Sequence, residues 1–281
     1  MYALEVKRLE KVFWNDFRLN ISFSLPQGCI MGLIGTNGAG KSTTIKLILD
    51  MLYKDSGEIR ILGKDASIGI EYIKQNLGVV MNEAGVPKVF TVKKIENIMK
   101  HLYIRWDHRE FHRLLTLFDI PIDKPYEALS TGTKVKLHIA IAMSHHAKLL
   151  LLDEPMNGLD PMTRDQVVEL LLDFTRDEEH SVLISSHIVS DLEKICDYVG
   201  FLHKGELLVF AEKDALLADY CRVQYTHEEL PLLKETPLLH VRETPYGIEA
   251  IAKRDGLPTE LQRCNVGLEE LFVSMIKEAK A

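Results

Sequence analysis

The chain has 281 residues, 46% of them hydrophobic and 27% charged, with a formal net charge of -7. That length fits one large domain, or one plus a small appendage, and can bury a sizeable core. The acidic balance argues against a nucleic-acid binder, which would carry a basic stripe. Cys29, Cys196, Cys221 and Cys264 are widely spaced, which argues against a disulfide framework or a zinc site and for reduced thiols.

In chain order, Met1 to Lys7 shows no long apolar core and no cleavage-site pattern, so no secretory signal is expected. No window approaches the roughly 18 to 20 apolar residues that cross a bilayer. The reading is a soluble chain whose membrane work, if any, falls to another polypeptide.

Leu19, Ile21, Phe23 and Leu25 alternate with polar residues, which predicts a half-buried strand ending at Pro26-Gln27-Gly28. Residues 29–34 are apolar throughout and predict a strand buried on both faces. Ile45, Ile48, Leu49 and Leu52 stand at helical spacing, which predicts a helix over 41–52. Residues 57–62 and 77–81 read as further strands. The stretch 91–143 reads as mostly helical: Thr91 caps a first helix, Asp107 or His108 opens a second that ends near Asp119, and Ser130 caps a third over 133–143.

Strands return at 149–152 and 181–185, separated by a helix from about Pro161, which is the spacing of a parallel βαβ unit. Beyond about 215 the strand-like pieces 238–242 and 247–252 are interrupted by Pro231, Pro237, Pro245 and Pro258. An amphipathic helix over 267–279 closes what reads as a small α+β extension.

Two constellations carry chemistry. Gly35-Thr36-Asn37-Gly38-Ala39-Gly40-Lys41-Ser42 matches a phosphate-binding loop between a buried strand and a helix. Its glycines let backbone N–H groups converge on phosphate oxygens, and the helix starting near Lys41 aims its positive dipole end at the same anion. Lys41 adds a point charge, and the Ser42 hydroxyl can ligate Mg²⁺. The second constellation is Asp153-Glu154, which ends the apolar run Leu149-Leu150-Leu151-Leu152. Functional residues cluster at such strand ends in parallel sheets. Asp153 is placed to hold Mg²⁺ directly or through water, and Glu154 to act as general base on the attacking water. His187 follows a third apolar strand, within reach of a γ-phosphate; alone, such a histidine reads as structural.

These residues together resemble the nucleotide-binding subunit of ABC (ATP-binding cassette) transporters. The loop, Leu129-Ser130-Thr131-Gly132-Thr133, Leu152-Asp153-Glu154-Pro155, Asn157-Gly158-Leu159-Asp160 and Ser186-His187 follow the family's order and spacing. The resemblance implies an α/β cassette with a mixed β core, an antiparallel β subdomain, a helical subdomain at about 84–146 and the α+β extension at 216–281. It covers about residues 1–215.

The resemblance assigns Gly35, Asn37, Gly38, Ala39, Gly40, Lys41, Ser42 and Thr43 to the nucleotide, with Ser42 and Asp153 on Mg²⁺ and Glu154 and His187 catalytic. Ser130, Thr131 and Gly132 would touch the ATP of an opposite subunit, and Asp160 would cross the dimer seam. Phe13 would stack on adenine, with Trp14 as runner-up.

Two departures stand out. Thr131 and Thr133 occupy positions where the family usually has Gly and Gln. Asn82-Glu83 stands where it usually has a Gln that meets Mg²⁺ and water; Asn82 is the expected substitute, with Glu83 as the alternative.

Tyr103-x-x-Trp106-Asp107 and the terminal Leu268-Glu269-Glu270-Leu271-Phe272 point to the subfamily that powers ABC-2 type exporters of peptides, antibiotics and toxins. The implied partners are a permease docking near residues 82–106 and a second ATPase subunit, identical or not, with the chain held peripherally on the cytoplasmic face of the membrane. The alternatives are a soluble ABC-type regulator, which would carry two cassettes or a coiled-coil insertion, and a small-molecule kinase, which would need neither Leu129-Ser130-Thr131-Gly132-Thr133 nor His187.

Overall fold

The computed structural model describes residues 1–14, 17–68, 70–81, 85–233, 236–245, 247–258 and 260–279. In chain order the elements are β1 (Tyr2–Val12), β2 (Arg18–Pro26), β3 (Ile30–Gly35), α1 (Lys41–Ile48), β4 (Ser56–Ile61), β5 (Lys64–Asp65), α2 (Ile70–Gln75) and β6 (Leu77–Val80). Next come α3 (Val92–Leu102), α4 (His108–Leu117), α5 (Thr131–Met143), β7 (Leu149–Asp153), α6 (Pro161–Phe174), β8 (Ser181–Ser186), α7 (Val189–Glu193), β9 (Tyr198–His203) and β10 (Glu206–Glu212). The chain finishes with α8 (Lys213–Asp219), β11 (Tyr220–Tyr225), β12 (Leu238–Thr244), β13 (Gly247–Lys253), β14 (Gln262–Cys264) and α9 (Leu268–Glu278).

Among the described residues a ten-stranded sheet runs in the order β5-β4-β1-β2-β10-β9-β3-β8-β7-β6. From β9 to β6 every pairing is parallel, while β1, β2, β4 and β5 pair antiparallel with one another and β2 meets β10 in parallel. β3, β7 and β8 are buried along their whole length, and apart from Asp153 and the serines of β8 they are apolar, because both their faces are covered. Period-two geometry still sorts their side chains. Ile30, Ile34, Leu150 and Leu152 face the helical layer, and Met31, Leu33, Leu149 and Leu151 face α1 and the antiparallel strands.

Three differences from the sequence reading have physical causes. β1 breaks simple alternation through a bulge: its register shifts between Val6 and Leu9 on β2, and Arg8 sits at φ 46°. Leu4, Val6 and Leu9 are all buried in consequence. α1 stops at Ile48 instead of continuing to Leu52. Asp50 adopts φ 55°, its N–H donates to the Leu47 carbonyl at 3.2 Å, and Met51 N–H donates to the Lys46 carbonyl at 2.8 Å. This is a left-handed helix stop of the type glycine usually supplies.

The third difference concerns the extension. The boundary drawn at 215 falls inside α8. The four-stranded antiparallel sheet β12-β13-β11-β14 has its own small core, but α9 packs into the main one. The Phe272 ring meets Phe201 of β9 edge-on at 5.2 Å, and Glu193 accepts the Leu268 N–H at 3.0 Å.

The caps of the helical layer follow side-chain chemistry. Thr91 accepts from Lys94 N–H, Asp107 from the N–H groups of Arg109 and Glu110, and Ser130 from Thr133 N–H. Ser130 therefore starts α5 two residues earlier than the apolar spacing indicates. Trp106 packs half-buried against the main core, its ring centroid 5.1 Å from that of Phe111.

On α5, His138 lies buried beside Tyr126, with Nε2 3.1 Å from the phenolic oxygen. Burial, with help from the Lys134 ammonium, pushes its imidazole down to about 4. Unfolded histidine titrates near 6.5, so between those values the unfolded chain binds a proton that the folded chain refuses. Stability from this residue is intact above about pH 6.5 and is lost progressively toward pH 4. His138→Gln should therefore shrink the fall in unfolding free energy between pH 7 and pH 4.5 by roughly 2 kcal/mol. Urea unfolding at both pH values measures this; an equal fall in the variant would contradict it.

Candidate functional site

The carboxyl ends of β3, β7 and β8 meet at one edge of the parallel sheet, and the candidate site stands there. The tightest point is the exit of β3. A Cβ on Gly35 would come within 2.6 Å of the Leu202 carbonyl oxygen and 3.0 Å of the Ala39 Cβ, so only glycine fits. The loop then turns through Gly38 at φ 78° and Gly40 at φ 114° before α1 begins. Ala39 is buried beneath it, whereas Asn37, Gly38 and Ser42 are exposed.

A cleft of about 390 Å³ opens over the loop, lined by Phe13, Phe17, Asn37, Gly38, Gly40, Lys41, Ser42, Thr43 and Glu154. Lys41 is 5% exposed, and its ammonium donates to the Gly35 carbonyl at 2.8 Å and the Thr36 carbonyl at 3.2 Å. It also pairs with Glu154 Oε1 at 3.1 Å. The other Glu154 oxygen, Oε2, accepts from His187 Nδ1 at 2.9 Å. Lys41, Glu154 and His187 thus form one continuous polar chain across the ends of all three strands.

Glu154 holds a left-handed backbone at φ 50°, which a non-glycine residue adopts at a cost of roughly 1–3 kcal/mol. Its N–H donates to the Ser185 carbonyl at 3.2 Å and to Ser185 Oγ at 3.1 Å. The Ser185 hydroxyl in turn donates to Asp153 Oδ1 at 2.6 Å. Ser185 is completely buried and so fixes the Asp153 carboxylate and the Glu154 backbone. Reading 181–185 as a strand did not reveal this role, because nothing in Ser181-Val182-Leu183-Ile184-Ser185 sets one serine apart from the other.

Of the two aromatic candidates, Phe13 lines the cleft and Trp14 projects fully into solvent. Phe17, which the sequence did not single out, lines the same wall, its ring 5.9 Å from that of Phe13. Asn82 lies outside the described residues, as does Glu83.

Ser130, Thr131 and Gly132 do not line the cleft. They start α5 and lie against the loop before α6, where a Cβ on Gly132 would contact the Gly158 carbonyl oxygen at 3.4 Å and Leu159 at 3.6 Å. Asp160 caps α6: its carboxylate accepts from Thr163 N–H at 3.1 Å and from the Thr163 hydroxyl at 2.6 Å. Those bonds hold its carboxyl below the usual carboxylate range.

A parallel sheet with a glycine loop at a helix start and a carboxylate pair at the adjoining strand end defines the phosphate-loop class of nucleoside triphosphatase. The family model described as "ABC transporter" matches residues 19–157. The lantibiotic transport ATP-binding protein SrtF of Streptococcus pyogenes is 32% identical over 75% of this chain and 91% of its own length. The ABC transporter ATP-binding protein YtrB of Bacillus subtilis (strain 168) is 28% identical over 96% of this chain and 97% of its own. A solved ATP-binding subunit of an ABC transporter superposes with a TM-score of 0.69 at 27% identity, covering 76% of this chain and 91% of that one. The chain belongs to the ATP-binding proteins of ABC transporters, the ATPases whose hydrolysis of ATP powers transport.

Ser185→Ala would leave Asp153 without its hydroxyl donor in a buried setting. It should destabilise the protein by about 1–3 kcal/mol. Chemical denaturation without nucleotide measures this, and an unchanged midpoint would remove Ser185 from the support of the carboxylates.

Proposed function

We propose that this chain drives an exporter of peptides, toxins or antimicrobial compounds, working with a separate permease and a second ATPase subunit arranged head to tail. The observation that carries the catalytic part is the strained Glu154, held between Lys41 and His187 at the mouth of the phosphate-loop cleft. Glu154 acts as general base on water. His187 positions that carboxylate and reaches toward the γ-phosphate. Lys41 leaves its loop carbonyls to neutralise the phosphates, and the loop amides from Gly35 to Thr43 cradle them. Phe13 stacks on the adenine.

Mg²⁺ belongs with Ser42 and Asp153, because a hydroxyl and a carboxylate are the hard oxygen donors this ion prefers. Held there, the ion would supply charge neutralisation to the β- and γ-phosphates.

The dimer reading rests on the separation of Ser130, Thr131 and Gly132 from the cleft of their own chain. A helix N-terminus bearing a serine and a glycine suits an anion presented by a second subunit, with Asp160 on the same surface. No helix among the described residues is long and apolar enough to cross a membrane, which suits a peripheral subunit held by a permease near residues 82–106 on the cytoplasmic face. The lantibiotic transport named for SrtF supports the export of an antimicrobial peptide as the reading.

Glu154→Gln should retain ATP binding and lose about 10²- to 10⁴-fold in turnover. Undiminished phosphate release from that variant would remove Glu154 from the mechanism. Lys41→Ala should instead weaken nucleotide binding by about tenfold or more, read by titration with a fluorescent ATP analogue. For the transport reading, affinity purification from detergent-solubilised membranes should bring down a hydrophobic permease; recovery with no membrane protein would count against it.

A further inference from the structure

Away from the cleft, α3 and α4 bring one carboxylate and two imidazoles together. We propose that Glu96, His108 and His112 form a site for a divalent transition-metal ion of the Zn²⁺ class. Glu96 is only 3% exposed, although it is charged and lies on a surface helix. His108 Nδ1 stands 2.5 Å from its Oε1 and His112 Nε2 stands 3.3 Å from its Oε2. The two histidines are four residues apart on α4, so both project from one face toward α3. The Asp107 cap fixes where that helix starts and therefore which face they occupy.

The donor atoms of all three residues lie within 4.8 Å of one another. Zinc takes imidazole nitrogen and carboxylate oxygen at about 2.0–2.2 Å, which places neighbouring donors about 3.4 Å apart in a tetrahedron. On Glu96 the distances are 2.5 and 3.3 Å, so His112 already stands near that value and His108 has only to move back from its oxygen. The imidazoles are partly exposed, 58% for His108 and 41% for His112, so small rotations can complete the geometry and water can take the fourth position.

Lys100 Nζ also approaches Glu96 Oε1, at 3.6 Å, and would give way to the ion. Its side chain is 39% exposed and can swing its ammonium into water. A nitrogen-rich set of this kind selects against Mg²⁺, which prefers oxygen ligands. The ion of the nucleotide site is therefore no competitor. Spacing of cysteines gave no hint of this site, because its donors are a glutamate and two histidines from different helices. Occupied, it would staple α3 to α4.

The test is a titration of the full chain, without nucleotide or polyhistidine tag, with CoCl₂. Native protein should give a saturable visible ligand-field absorption at one equivalent, displaced by ZnCl₂ and not by MgCl₂. His108→Ala and His112→Ala should each weaken binding by at least about tenfold, since loss of an outer-shell partner alone typically costs that much. His240→Ala should have no effect. ZnCl₂ should raise the melting temperature of native protein, reversibly with chelator, and not that of the double variant His108→Ala/His112→Ala. Absence of the absorption in native protein would overturn the proposal. So would a cobalt absorption or a zinc-dependent melting shift that survives in the double variant.

Discussion

The close approach of β3 to β9 at the start of the phosphate loop sets everything above it. Gly35 has no room for a side chain against Leu202. The turn after β9 completes the joint: Gly205 N–H donates to the Ala39 carbonyl at 2.9 Å, and its carbonyl accepts the Asn20 N–H at 2.8 Å. A Cβ at Gly205, at φ 85°, would stand 1.9 Å from the Arg18 carbonyl oxygen. Two glycines far apart in the chain thus clamp the antiparallel strands to the parallel core beneath the loop. The loop keeps its shape because the backbone under it cannot shift.

Given that joint, the electrostatics of the cleft are local. Lys41 is buried and is held by loop carbonyls and by Glu154. Glu154 is held by Lys41 and His187, and Asp153 by Ser185. Each charged group therefore has a partner, as burial demands. The backbone strain at Glu154 is maintained by two hydrogen bonds to Ser185, so rigidity in β8 is converted into placement of a carboxylate.

The helical layer and the C-terminal extension are packed onto this frame in different ways. The layer shares its core with the sheet, yet its α3–α4 pair carries a polar cluster of its own around Glu96. The extension has a separate β core, but α9 commits it to the main body through Phe272 and Phe201. The cleft and the start of α5 lie apart on one chain, which is why the nucleotide site calls for a second subunit in the proposed arrangement.

The short-range signals in the sequence determined the phosphate loop, the carboxylate pair at a strand end, the helix caps Thr91 and Ser130, a helix start at Asp107 or His108, and the alternation of cassette strands and helices. All of them are written in neighbouring residues: glycine spacing, capping side chains and apolar period. Tertiary structure alone decided what depends on residues distant in sequence meeting in space. The bulge that hides β1, the hydroxyl of Ser185 between the Asp153 carboxylate and the Glu154 backbone, Phe17 beside Phe13, the clamp of Gly205 under Ala39 and the convergence of Glu96 with His108 and His112 are of that kind. No local pattern announces them, because each is made by two segments whose relative position is set only when the core packs.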